Sequence, residues 1–164
     1  MAPWAEIEQA CVRRHAALLA LVLGAGAPAL AAAPPAPTTI VATPAPPEVT
    51  AALKSAVELA RARFETRDLA GVLASVSEQY RSNGMTKAAV RDQLSGMFAL
   101  YQQLRARVTV DRVEMVGEGA WIYTSGEVSG RLPIVGWVTV LAWQGEPEVA
   151  RREATGWRLF GFQD

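Results

Sequence analysis

The chain has 164 residues, of which 51% are hydrophobic, 20% charged and 7% aromatic. This composition is typical of a globular domain and excludes a chain that is disordered throughout. Sixteen Lys and Arg balance sixteen Asp and Glu, so there is no basic field that would hold nucleic acid by charge. We therefore expect no nucleic-acid partner.

Residues 1–33 have the features of an export signal. Arg13 and Arg14 precede an apolar run over 16–23, and Ala-Leu-Ala at 29–31 has the small-x-small form of a signal peptidase site. The run is far shorter than the roughly 20 residues that span a bilayer. We predict a cleaved leader and a periplasmic or secreted protein, with an uncleaved membrane anchor over 16–33 as the alternative. The arginine pair leaves the general secretory and twin-arginine routes both open.

Cleavage of the leader would remove the only Cys and the only His, at Cys11 and His15. The mature chain would then have no disulfide, no Cys nucleophile, no His base and no zinc or copper site of the usual kind. We predict no metal ligand and no cofactor. Any catalysis would have to rely on carboxylates, Tyr, Lys, Ser or Thr.

Residues 34–47 are rich in proline and are predicted to form an extended linker between the leader and a single domain over 48–164. A spacer that holds the domain away from a membrane or cell wall is the favoured interpretation. A docking motif for a proline-binding domain is the alternative. A domain of this size buries enough surface for one stable core without disulfides.

The domain is predicted to begin with three helices. Apolar residues recur at helical spacing over 48–66, on a face formed by Val49, Leu53, Val57, Ala60 and Phe64. Asp68 is a suitable N-cap for a short second helix. Asn83 and Gly84 mark a turn, and Thr86 is a suitable cap for a third helix. The inner face of that helix would carry Val90, Leu94, Met97 or Phe98, and Tyr101.

Beyond Arg105 the apolar pattern changes to the alternation of β-strands. Strands are predicted over 108–116, 120–128, 134–143 and 157–162, with a loop over 144–155. Several antiparallel strands of this length after three helices predict an α+β domain with the helices on one face of the sheet.

This order of elements resembles the nuclear transport factor 2-like superfamily, whose cone-shaped fold is shared with ketosteroid isomerases and polyketide cyclases. The most similar parts are residues 64–90, 113–128 and the terminal Gly-Trp-Arg-Leu-Phe-Gly-Phe at 156–162. The resemblance covers nearly all of 48–164 and implies three N-terminal helices packed on a curved antiparallel sheet of about four strands. Because the superfamily includes enzymes, carriers and protein-binding domains, the fold does not decide the function.

The acidic residues do not match the pattern of the isomerase-like enzymes. The resemblance implies an Asp base shortly after the second helix, where this chain has Gln-Tyr-Arg-Ser-Asn at 79–83, preceded by Glu78. Asp111 and Glu114 lie at an odd separation on one strand, so they cannot both point into one cavity. With Glu127, they are expected on a solvated strand face. We predict no catalytic residue.

Strand alternation places four large aromatic residues on one sheet face, which we expect to be the outer one: Trp121, Tyr123, Trp137 and Trp143. An exposed aromatic patch usually marks a contact site, so we predict a homodimer joined through this face. In one alternative the loop over 144–155 covers the patch. In the other the faces are inverted and the tryptophans line the core and pocket.

Two classes of function compete. We favour a non-catalytic exported binding domain, whose partner is another protein, a second copy or a small apolar ligand in the cone. Tyr80 and Tyr101 are the candidate ligand-binding residues. The alternative is an isomerase or lyase for a small hydrophobic substrate, with Tyr80 or Tyr101 as oxyanion donor and Glu78 or Asp111 as base. An open cone with an acid and a tyrosine would favour the enzyme, and a filled or wholly apolar cone would favour the binding domain.

Overall fold

The computed structural model describes residues 42–162. The predicted leader and residues 34–41 of the predicted linker lie outside the described residues. The described elements are, in chain order, β1 (Thr43–Pro44), α1 (Pro47–Glu65), α2 (Leu69–Leu73), β2 (Arg81–Ser82), β3 (Met85–Thr86), α3 (Lys87–Leu100), β4 (Gln103–Val116), β5 (Gly119–Leu132), β6 (Gly136–Glu153) and β7 (Gly156–Leu159). Within 42–162, no helix is both long enough and apolar enough to cross a membrane.

The helix boundaries follow from local chemistry. Helix α1 begins at Pro47, a position where proline is tolerated because its missing N–H would lack a helical partner anyway. Asp68 caps α2 by accepting a hydrogen bond of 2.9 Å from the Gly71 backbone N–H, and Thr86 caps α3 by accepting one of 3.2 Å from Ala89. Both predicted caps are confirmed.

The predicted turn before α3 joins the short strands β2 and β3 in a hairpin. Asn83 has φ 49° and Gly84 has φ 74°, as a two-residue type I′ turn requires. Asn and Gly are the residues that adopt this left-handed conformation at least cost, so this turn could be predicted from the sequence.

The main sheet is antiparallel, with the strand order β1-β4-β5-β6-β7. Strand β1 pairs Thr43 with Met115, so the sheet extends into the range predicted as linker. Strand β6 continues to Glu153. The predicted loop over 144–155 is therefore wrong for most of its length, and it does not cover the outer face.

Two clusters of buried side chains lie between the helices and the inner face of the sheet. The first surrounds Leu53 of α1, which is 2% exposed, and contains Val113, Ala120, Ile122 and Ala150. The second is formed by Leu104, Ala106 and Val128, with helix residues packed against it: Phe64, Met97, Phe98 and Tyr101. The predicted arrangement, an α+β domain with helices on one face of an antiparallel sheet, is confirmed.

A β-bulge in β6 changes which residues of that strand face inward. Val128 pairs with Leu141 but the next residue, Ser129, pairs with Thr139, so Val140 is an additional residue in the strand. An extra residue reverses the alternation beyond it. Trp143 consequently packs on the inner face, against the second cluster. Its predicted position on the outer face is wrong.

The other three aromatic residues have the predicted outer-face parity. Trp121 and Tyr123 alternate with the buried Ala120 and Ile122, and Trp137 is 39% exposed. Side chains of the same domain lie against them. Arg105 stacks on the ring of Trp137 at 4.2 Å and Arg112 stacks on that of Tyr123 at 3.6 Å, whereas Trp121 meets Phe162 edge-on at 5.6 Å. The outer face therefore combines aromatic rings with arginines.

Candidate functional site

A cavity of about 440 Å³ lies between the helices and the inner face of the sheet. Its volume is within the range of small-molecule sites. We call it the cone pocket. Its wall is mostly apolar and comes from α1, α2 and strands β4 to β7: Val57, Ala60, Phe64, Val72, Ala106, Val108, Ile122, Val128, Trp143, Pro147 and Leu159.

Trp143 forms one wall of the cone pocket because the sheet makes room for its ring. At Gly126, its partner on β5, an added Cβ would lie 2.6 Å from the indole Cζ2 and 2.4 Å from the Arg107 carbonyl oxygen. Only glycine leaves this space. The indole Nε1 donates a hydrogen bond of 3.0 Å to Thr124 Oγ1, whose residue also lines the pocket.

Glu148 supplies a carboxyl group to this apolar pocket. It pairs with Ile122 in the β5–β6 ladder and so shares the inward face. Within the described part of the chain, its buried Oε1 has no hydrogen-bond partner. Burial raises the pKa of the Glu148 carboxyl to about 7, against a smaller opposing effect of a backbone hydrogen bond from Val149. The carboxyl therefore titrates near neutral pH.

Arg61 contributes the cationic side chain of the pocket wall, and neighbouring carboxylates already compensate its charge. Its Nε donates to Glu58 at 2.9 Å and its Nη1 donates to Glu65 at 2.8 Å, and the Glu58 contact is the main reason why the pKa of Arg61 is raised. Glu65 also accepts a hydrogen bond of 2.9 Å from the Ala106 backbone N–H. This network connects α1 to β4. Of the two carboxyl groups in the pocket wall, Glu146 is exposed, and Glu148 has the buried oxygen without a hydrogen-bond partner among the described residues.

The structure does not bring the residues proposed for ligand binding or acid–base chemistry into the cone pocket. Tyr80 is 8% exposed, and Tyr101 packs on the second core cluster, where its ring occupies the space beside Gly130. Glu78 is 81% exposed and forms an ion pair of 2.7 Å with Lys87, whose ammonium lowers the pKa of that carboxyl. Asp111 accepts a hydrogen bond of 2.7 Å from Ser125 and is likewise not in the pocket wall.

The sequence does not single out Glu148 as a site residue, because the composition of residues 144–155 predicts a loop. Glycine, proline and several charged residues in this stretch favour that interpretation. Val149 and Ala150, adjacent apolar residues between Gly145 and Gly156, are the one indication of a strand there. The face on which Glu148 lies depends on the bulges in β6, and these could not be predicted from alternation.

Residues 42–162 contain no group of three or more His, Cys, Asp or Glu side chains arranged to hold a metal ion.

Comparison with known proteins shows similarity in fold. No family model and no curated protein matches the sequence. A ketosteroid isomerase-like protein from Erwinia carotovora atroseptica superposes with a TM-score of 0.54 at 17% identity, covering 70% of this chain and 93% of the other. A Streptomyces avermitilis protein of the nuclear transport factor 2-like family, proposed to be a dehydratase, superposes with a TM-score of 0.58 at 13% identity, covering 71% and 95%.

The structure of Bd1075 from Bdellovibrio bacteriovorus is also similar, with a TM-score of 0.53 at 11% identity. This chain spans 37% of that protein's length, and the superposition covers 66% of this chain. The described domain has the nuclear transport factor 2-like fold, as the resemblance implied. At sequence identities this low, the similarity to these proteins defines the fold but not the activity.

Proposed function

We propose that the cone pocket binds a small, mostly apolar molecule that carries one hydrogen-bonding group, and that Glu148 holds this group. The observation that carries the proposal is that Glu148, a residue of the mostly apolar pocket wall, has a buried Oε1 without a hydrogen-bond partner within residues 42–162. A buried polar atom without a hydrogen bond is costly. An occupant that donates a hydrogen bond to this oxygen would remove that cost.

The wall of the pocket favours a ring system as the apolar part of the occupant. Phe64 on α1 and Trp143 on β6 both present aromatic rings to the cavity. Aromatic side chains bury large apolar areas and favour stacked or edge-on contacts with other rings. The volume of about 440 Å³ is large enough for more than one ring, because a cavity of roughly 150 Å³ holds benzene.

A pair of matched probes tests the role of Glu148. 2-Naphthol and naphthalene have the same apolar body, but only 2-naphthol donates a hydrogen bond. We expect 2-naphthol to bind the full chain about tenfold more tightly than naphthalene, the effect of one hydrogen bond to a carboxyl group. Glu148→Leu should abolish this preference. Glu118→Gln, which changes a carboxylate that is 93% exposed, is the control and should retain it.

Two outcomes would overturn the proposal. The first is that neither probe binds to the wild-type chain. The second is that Glu148→Leu retains the preference for 2-naphthol. Circular dichroism of each variant would show that a loss of binding does not come from a loss of fold.

Proton transfer is a second candidate function, and the raised pKa of Glu148 favours it. A carboxyl that titrates near pH 7 is suited to general acid–base catalysis. Thr124 lies two residues from Ile122, the partner of Glu148, so its hydroxyl is a diagonal neighbour on the same face. The Thr124 hydroxyl accepts a hydrogen bond from Trp143 and can still donate its own proton in a second hydrogen bond. The similar proteins described as a proposed dehydratase and as ketosteroid isomerase-like agree with an isomerase or lyase.

Hydrogen exchange into a bicyclic ketone tests this second function. In the step we propose, the ionised Glu148 removes a proton from the carbon next to the carbonyl, and the Thr124 hydroxyl donates a hydrogen bond to the resulting enolate oxygen. The protonated Glu148 carboxyl exchanges its proton for a deuteron from D₂O, and this deuteron is then transferred to the same carbon. In D₂O, NMR should show exchange into 2-tetralone that is about 100-fold faster with wild type than with Glu148→Gln. Equal rates would exclude catalysis by Glu148, and Glu118→Gln should match wild type.

A further inference from the structure

A second recess of about 60 Å³ lies beside the cone pocket, between α1 and strands β5 to β7. Four residues line both cavities: Val57, Ala60, Ile122 and Leu159. The remaining wall of the recess is formed by Leu53, Ala56, Ser75, Ala150, Trp157 and Arg158. The shared residues place this recess next to the cone pocket, and we call it the side recess.

The wall of the side recess is suited to an apolar group. The charge of Arg158 is compensated, because its guanidinium contacts Glu153 at 3.4 Å and donates a hydrogen bond of 2.7 Å to Thr155 Oγ1. The backbone groups of Ser75 are paired, since its N–H donates to Val72 and its carbonyl oxygen accepts from Leu159. Such a wall offers a water molecule few free polar partners, and a well-bound water needs several.

The side recess lies next to the hydrogen-bonding point of the cone pocket. Ile122 lines both cavities and pairs with Glu148 across the β5–β6 ladder. Ala150 lies two residues from Glu148 on the same inward face, and it lines the recess but not the cone pocket. A group in the recess would therefore lie near the end of the occupant that Glu148 holds.

We propose that the molecule bound in the cone pocket carries a short apolar branch next to its hydrogen-bonding group, and that the side recess holds this branch. This inference rests on the proposed function, because it specifies the ligand of the same pocket. The branch contains roughly two or three carbon atoms, since a cavity of about 150 Å³ holds the six carbons of benzene and the recess is about 60 Å³. A longer chain does not fit within the recess.

Two series of alkylated naphthols test the position and length of the branch on the full chain. In 3-alkyl-2-naphthols the alkyl group is adjacent to the hydroxyl, and in 6-alkyl-2-naphthols it is at the far end. We expect the affinity of the 3-alkyl series to rise roughly fourfold per methylene from hydrogen to propyl and to fall at hexyl. No maximum at propyl is expected in the 6-alkyl series.

Ala56→Met should fill the side recess from α1, where Ala56 lines the recess and not the cone pocket. In this variant the 3-alkyl gain should disappear, while the affinity for unsubstituted 2-naphthol stays within about twofold of wild type. Ala51→Met is the matched control, because Ala51 is an exposed position of the same helix, and it should retain the full gain. Trp157→Phe enlarges the recess and should move the best 3-alkyl group from propyl to a longer chain.

The outcomes distinguish this inference from the proposed function. If 2-naphthol does not bind at all, the proposed function fails and this inference fails with it. If 2-naphthol binds through Glu148 but the 3-alkyl series shows constant affinity, the side-recess proposal alone is overturned. A 3-alkyl gain that persists in a folded Ala56→Met variant overturns it as well, and the Trp157→Phe result provides the same test if Ala56→Met does not fold.

Discussion

Trp143 and Thr124 are joined across β5 and β6 by a hydrogen bond of 3.0 Å from the indole Nε1 to the threonine Oγ1. The contact lies on the inner face of the sheet, where both residues line the cone pocket. It satisfies the only polar atom of the indole, so the tryptophan can serve as an apolar wall without an unpaired donor. The position of this wall depends on the bulge at Val140 and on the absence of a side chain at Gly126.

We predict that Gly126→Ala destabilises the domain by about 1–3 kcal/mol, the usual cost of adding a methyl group to a filled space. The new Cβ would meet the Arg107 carbonyl oxygen at 2.4 Å, and this is backbone that cannot easily move. Gly96→Ala is the control, because a Cβ there meets nothing within 4 Å in the middle of α3. It should stabilise the domain by about 0.5–1 kcal/mol. Urea denaturation measures the free energy of unfolding of both variants. Equal changes in the two variants would contradict the prediction.

Glu148 should make the stability of the domain depend on pH. Its pKa rises from 4.5 in the unfolded chain to about 7 in the folded one, so between these values the folded state retains a proton that the unfolded state has released. The free energy of unfolding should therefore fall as pH rises through this range, by up to about 1.4 kcal/mol per pH unit from this group.

Glu148→Gln cannot titrate and should remove that component of the slope. Urea denaturation at several pH values between 4.5 and 7 would measure the free energy of unfolding of the variant and of wild type. The stability of the variant relative to wild type should increase with pH across this range, by about 3 kcal/mol at most. Glu118→Gln, at an exposed site, should follow wild type. Parallel curves for wild type and Glu148→Gln would show that the folded pKa of Glu148 is not raised.

Trp157 should contribute strongly to stability. It is half-buried on β7, packs against the first core cluster and lines the side recess. We expect Trp157→Ala to cost about 3 kcal/mol, the lower end of the range for a large buried aromatic residue. Trp137→Ala, on the outer face at 39% exposure, should cost less than about 1 kcal/mol. A loss below about 1 kcal/mol for Trp157→Ala would mean that its ring contributes little to the core.

The outer sheet face stays a predicted dimer interface, now without Trp143. Trp121, Tyr123 and Trp137 share this face, and large aromatic residues are enriched at interface cores. Trp121→Glu and Trp137→Glu should each give a folded monomer, because the twofold axis would place the new charge near its own copy. Trp143→Phe is the control on the inner face and should leave the dimer intact. Light scattering that finds the wild-type domain monomeric at tens of micromolar would reject the dimer.

Export remains a prediction for residues that lie outside the described part of the chain. Cleavage after Ala-Leu-Ala at 29–31 would leave Ala32 as the first residue of the mature protein. Cleavage after Ala33 is disfavoured because it would leave Pro34 first, with no N–H and a fixed φ. Mass spectrometry of protein from the periplasm or the medium would identify the first residue. An intact form that begins at Met1 and is found in the cytoplasm would contradict the prediction.

The sequence by itself determined the elements that depend on neighbouring residues. The apolar spacing from Val49 to Phe64 predicts α1, and Asn83 with Gly84 predicts the turn before α3. The side chains of Asp68 and Thr86 predict the starts of α2 and α3. Each of these depends on local hydrogen bonds, on side-chain periodicity or on the left-handed backbone that Asn and Gly tolerate. These features can therefore be predicted from a few neighbouring residues of the chain.

Only the tertiary structure decided which residues line the pocket. The bulge that turns Trp143 inward arises from the pairing of β6 with β5, and strand alternation alone cannot predict where pairing skips a residue. The same pairing places Glu148 opposite Ile122, and burial by groups distant in sequence raises its pKa. Desolvation and register depend on the whole fold, which is why the candidate site could not be found in the sequence while most of the fold could.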